Sequence, residues 1–205
     1  MAEKNDSASG LPFGSGMVTE IDRLTKELAG PNRRMRQEAA HNIAQMVKQD
    51  PTSFDDKADT LIPALVDALL RPEAQTRWES MAALAELAAA HADLVADAYD
   101  GAEASLFDEQ SSPVRIAAFR LLARLGATSE EMSDKVWPLL DEAIQCFHGD
   151  PGYRDMLSAL LALVQGEASE QTRTALVERI SFDAESGRGY VKACSAEIVE
   201  AAKAK

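Results

Sequence analysis

From residue 18 onwards, apolar residues recur every three or four positions in short blocks, and each block ends at a break containing proline or glycine. Ile21, Leu24 and Leu28 fall on one helical face and stop at Gly30-Pro31, a glycine stop followed by a residue that cannot continue the helix. Met35, Ala39, Ile43, Met46 and Val47 repeat the spacing as far as Asp50-Pro51. Leu61, Ile62, Leu65, Val66 and Leu69 form the next stripe, broken at Arg71-Pro72, and Met81, Leu84, Ala85, Leu87 and Ala88 the one after, ending near His91. The spacing puts Pro63 in the first turn of its helix, where the missing N–H costs nothing, and Trp137-Pro138 at the start of a later one. Residues 1–17 are rich in Gly, Ser and Asn and show no sustained period. They predict a disordered leader, with 18–205 as a single domain.

The blocks pair into a unit that repeats. The second helix of each unit aligns on an arginine: Arg36, Arg77, Arg115, Arg154 and, in a weaker copy, Arg188, spaced 41, 38, 39 and 34 residues apart. Eight positions after each arginine stands an alanine: Ala44, Ala85, Ala123, Ala162 and Ala196. Ten positions after stand Met46, Leu87, Leu125, Val164 and Ile198. A small residue fixed at one register position is expected where neighbouring helices cross so closely that only a methyl fits between them. Cations are disfavoured at helix N-termini. The recurring arginine is therefore expected to have a specific acceptor, a loop carbonyl or an acid of the adjacent unit, and a structural role.

These residues resemble the HEAT-repeat family and its relation, the armadillo repeats. Asp150-Pro151 before Arg154, and Pro113-Val114-Arg115 opening a second helix, come nearest to the family pattern. The turn acid has no fixed offset, because Gly30-Pro31-Asn32 and Arg71-Pro72-Glu73 stand there in the first two units. The resemblance covers about residues 18–202. It implies an all-α, right-handed superhelical solenoid of about five helix-pair repeats, each burying its apolar face against its neighbours. The family usually exploits the concave surface of such a stack for binding.

Composition agrees and then adds charge. The 205 residues include 36 alanines and only 5% aromatics, which favours helix over strand. The formal net charge is −13, and the stretch 58–167 alone carries −12. A field of that sign repels phosphate backbones and favours a basic or mixed-charge protein partner. No apolar run reaches the length of a membrane span, and residues 1–17 lack the form of a secretory signal, so a cytoplasmic chain without membrane contact is expected. Cys146 and Cys194 are expected as small buried hydrophobes. A monomer is favoured.

Motifs that carry chemistry are scarce along the chain. No phosphate-binding glycine loop, Gly-x-Ser-x-Gly or His-Glu-x-x-His occurs. Cys146 and His148 are too close along one helix to act as nucleophile and base. Carboxylate neighbours such as Asp55-Asp56 and Asp141-Glu142 point about 100° apart on a helix and make poor acid–base dyads. No catalytic, cofactor or metal residue is expected. The candidate partner-binding residues are Trp78 with Glu79, and the basic knot Arg33 and Arg34. The expected function is a non-enzymatic interaction scaffold with an acidic surface. The alternatives are a maturation or small-molecule-binding protein using the concave groove and, more distantly, a reader of DNA lesions.

Overall fold

The computed structural model of the protein describes residues 13–204, with side chains from residue 20. Five helix pairs follow one another. The first is α1 (Phe13–Ala29) with α2 (Arg33–Gln49), and the second is α3 (Ala58–Ala68) with α4 (Ala74–Leu87). In the third, α5 (Ala92–Val95) and α6 (Tyr99–Leu106) flank a 3-10 turn and pair with α7 (Ser112–Gly126). The fourth is α8 (Glu130–Cys146) with α9 (Tyr153–Gln165), and the fifth α10 (Glu170–Ser186) with α11 (Gly189–Lys203).

Local chemistry explains where several of these helices begin. The side chain of Asn32 accepts from the backbone N–H groups of Arg34 and Met35. Ser111, Ser129 and Ser169 cap α7, α8 and α10 by accepting from Val114, Met132 and Thr172. Each cap satisfies N–H groups that the first turn of a helix leaves without an intrahelical partner.

The second helices α2, α4, α7, α9 and α11 pack side by side as one row, and the first helices form another. Neighbouring second helices lie against each other more extensively than neighbouring first helices do. The stack therefore curves with the second row on its inside. One continuous core runs between the rows, from Leu24 and Ile43 through Leu65, Leu84, Phe119, Leu140 and Leu160 to Leu176 and Ile198, all fully buried.

The structure departs from the sequence reading at four places. Helix α1 opens at Phe13, so residues 13–17 of the expected leader are helical; residues 1–12 lie outside the described residues. A 3-10 run, Pro51–Lys57, feeds straight into α3, which starts at Ala58 and leaves Pro63 inside the helix instead of in its first turn. Pro138 likewise sits inside α8, which the Ser129 cap starts at Glu130. Both prolines are exposed on the outer row, where water reaches the carbonyls their rings leave unpaired. Cys146 is exposed at the end of α8, not buried, while Cys194 is half-buried.

Candidate functional site

Four of the five register arginines reach the next unit, two through a carboxylate and two through an aromatic ring. Arg36 is buried, donates to the Gly30 carbonyl at 2.9 Å, and pairs with Glu73 of the second unit. Arg77 pairs with Asp108 of the third unit at 2.8 Å. Arg115 donates to the Asp108 carbonyl at 2.6 Å and lies over the Phe147 ring of the fourth unit, 5.1 Å from its centre. The ladder then weakens. Arg154 is exposed and sits 5.6 Å above the Tyr190 ring, and Arg188 is exposed at the start of α11.

The two acids of this ladder, buried Glu73 and half-buried Asp108, are tuned by competing effects. Burial raises the Glu73 carboxyl, but the Arg36 guanidinium and Glu73's own backbone N–H outweigh it and hold the group below the ordinary carboxylate range. Burial also raises Asp108, and the Arg77 guanidinium with the Gln110 N–H overcomes it in the same direction. Ala44, Ala85 and Ala123 are buried between the second helices, whereas Ala162 and Ala196 are only half-buried.

A second set of pairs crosses the concave face. His41 Nδ1 on α2 meets Glu79 Oε1 on α4 at 2.9 Å, and Glu86 on α4 pairs with Arg120 on α7. Between α2 and α4 lies an open groove of about 490 Å3 lined by Arg34, Gln37, Glu38, His41, Asn42 and Gln75. Between α7 and α9 lies another of about 470 Å3, lined by Ile116, Arg120, Arg124, Asp155, Ser158, Ala159 and Ala162.

Of the candidate partner residues, Trp78 is half-buried against the core. Glu79 is held by His41. Arg34 is exposed and pairs with Glu38 on its own helix at 2.7 Å, while Arg33 is exposed beside it. The structure thus brings Arg34 and Glu79 to the α2–α4 seam and does not join them to Trp78 as one site. Sequence reading passed over His41, Glu86, Arg120, Arg124 and Asp155. The signal was present: one, five and nine positions after the register arginine fall on a single helical face, and those positions carry Asp155, His41 and Arg120, and Glu86 and Arg124.

Charge is divided between the rows. The first-row elements hold 20 acids and 6 cations, a net −14, while the second row holds 6 acids and 11 cations, a net +5. The segment Ala92–Leu106 carries four acids and no cation. Among the described residues, no group of three or more His, Cys, Asp or Glu side chains is arranged to hold a metal. No described helix is long and apolar enough to cross a membrane.

No protein-family model matches the chain, and no curated protein matches it in sequence. Solved structures do. A designed armadillo repeat protein in complex with the peptide (KR)4 superposes with a TM-score of 0.74 at 15% identity, over 91% of this chain and 83% of the other. Computationally designed armadillo repeat proteins for modular peptide recognition give 0.70 at 16% identity, over 90% and 83%. An engineered protein gives 0.71 at 19% identity over 89% of this chain, which spans only 47% of that protein's length. The chain is therefore an all-α repeat protein. Its fold is the HEAT/armadillo-like solenoid.

Proposed function

We propose that the protein is a cytoplasmic, non-enzymatic scaffold that binds another protein through its acidic outer row, with a basic or mixed-charge surface as the partner. The partition of charge carries this reading: a net −14 on the first-helix row against +5 on the second. Long-range attraction from such a row speeds encounter with a cationic surface and penalises acidic competitors. The stretch Ala92–Leu106 is its focus, since Asp93, Asp97, Asp100 and Glu103 have no cation on their own segment.

The other two readings have less support. A small-molecule site calls for a closed pocket with a desolvated acid. The grooves here are open, and the buried Glu73 and half-buried Asp108 are already engaged by arginines. A DNA-lesion reader calls for free cations on the concave face. Arg34, Arg36, Arg77 and Arg120 are each matched by a carboxylate, and counting Glu73 and Asp108, which stand just outside the second-row helices, lowers the +5 to +3.

Affinity capture from the native host on the immobilised full-length chain tests the proposal. Partner protein bound at 50 mM NaCl should elute at 500 mM, and a D93N/D97N/D100N/E103Q variant should retain much less of it. Capture that is indifferent both to salt and to this variant would sink the electrostatic reading.

A further inference from the structure

The concave pairing is complete at the first two seams and stops at the third. His41 and Glu79 join α2 to α4, and Glu86 and Arg120 join α4 to α7. Between α7 and α9, Arg124 stands on one wall and Asp155 on the other, and among the described residues neither side chain has a polar partner. They cannot satisfy each other. Arg124 lies nine positions after its register arginine and Asp155 one position after its own, an offset of roughly 12 Å along parallel helices. No ion pair among the described residues crosses this seam at all, although ion pairs cross each of the other three.

The α7–α9 groove also differs from the α2–α4 groove in its lining, which is polar throughout at the earlier seam and partly apolar here. The register alanine is buried in the first three units, yet Ala162 is half-buried and lines the groove floor together with Ala159 and Ile116. The groove thus has an apolar floor, a cation at one end and an anion at the other.

We infer that the α7–α9 groove takes an extended peptide segment that carries an acidic and a basic side chain on the same side, four residues apart, with the acid on Arg124 and the base on Asp155. An extended chain advances roughly 3.3 Å per residue, so residues i and i+4 lie roughly 13 Å apart and point to the same face. That spacing matches the offset between the two unpaired groups. A guanidinium can grip a carboxylate with two parallel N–H bonds. Small or β-branched residues between the two charges fit a floor made of two alanines and an isoleucine. The inference rests on the scaffold reading but adds a surface distinct from the acidic outer row, and it fits the mixed-charge class of partner.

The test uses the isotope-labelled full-length protein and capped heptapeptides. The probe is Gly-Glu-Thr-Val-Thr-Lys-Gly, and its two controls carry Glu at both or Lys at both charged positions. The mixed peptide should shift the amide resonances of Ile116, Arg124, Asp155, Ser158 and Ala162. Its affinity should fall roughly one-and-a-half- to fivefold in R124Q or D155N, the range for exposed ion pairs. Charge reversal should redirect preference: R124E should favour the Lys-Lys peptide, and D155K the Glu-Glu peptide. A merely structural role for either residue would not switch preference in that way. Shifts confined to the outer row, or a peptide ranking that neither reversal changes, would overturn the groove assignment while leaving the scaffold reading intact. Silence from all three peptides would also overturn it, and salt-insensitive capture from the host would then remove the scaffold reading separately.

Discussion

A single methyl sets the spacing between second helices, and its environment changes along the stack. Ala123 on α7 is fully buried in the packed core, whereas Ala162, at the same register position of α9, faces an open groove. Interiors are packed so densely that three extra carbons displace their neighbours. Ala123→Leu should therefore cost roughly 1–3 kcal/mol, whereas Ala162→Leu should stay within about 0.5 kcal/mol, both read by chemical denaturation. Equal costs at the two sites would mean that the groove is closed in solution. The sequence made the alanine register legible because all five units carry it. It could not show that Ala162 lines an open groove while Ala123 is buried, since that depends on what faces each alanine from the neighbouring helix.

At the scale of the element, the turn between the two helices of a unit is where successive units are fastened, and carboxylates hold it. Glu73 and Asp108 precede α4 and α7 and receive Arg36 and Arg77 from the unit before. Both carboxyls lie below their ordinary values of 4.5 and 3.8 in the folded chain. A depressed carboxyl adds stability that is fully present above its unfolded pKa and is lost as pH falls through the folded one. The loss should thus fall at and below about pH 4. In E73Q/D108N the acid limb of the stability–pH curve should flatten, and stability at pH 7 should drop by about 3 kcal/mol, chiefly because the Arg36 cation is left buried without its counter-ion. An acid limb as steep as that of the parent would place the titration elsewhere. The helices and most of their ends were readable from apolar period and breakers. The two misplaced prolines were not, because Pro63 and Pro138 look like initiators until the 3-10 run and the Ser129 cap are seen to start those helices earlier. The arginine register was readable too, but not its acceptors, since the acid stands at a different offset in each turn.

For the whole molecule, stability is close to a sum of units and the seams between them, and the seams respond to salt with opposite signs. The first two seams and the last carry ion pairs: Arg36–Glu73 and Lys57–Asp22, then Arg77–Asp108 and Glu86–Arg120, and finally Arg179 on Asp141. The third seam is held differently. Lys135 lies 3.7 Å above the Tyr99 ring, Phe147 packs 5.9 Å from Phe107 and beneath Arg115, and the Glu167 N–H donates to the Ala127 carbonyl at 2.8 Å. On the outer row the same seam juxtaposes two of the most acidic first-row segments, Ala92–Leu106 and Glu130–Cys146, each with a net −4. Lys135 is the lone cation of that pair of segments and sits where it faces both. Added salt screens exposed attractions at the first, second and fourth seams and screens repulsion at the third. Between 50 and 500 mM NaCl, hydrogen-exchange protection across α6, α7 and α8 should rise relative to that across α2 and α4, by about two- to fivefold if the screened repulsion amounts to 0.5–1 kcal/mol. Lys135→Gln should enlarge the effect by leaving the repulsion uncompensated, and a uniform response of every helix to salt would contradict the argument. Where the stack opens is thus a matter of charge as well as packing, and the seam most sensitive to its own field is also the one whose concave groove keeps an arginine and an aspartate unpaired.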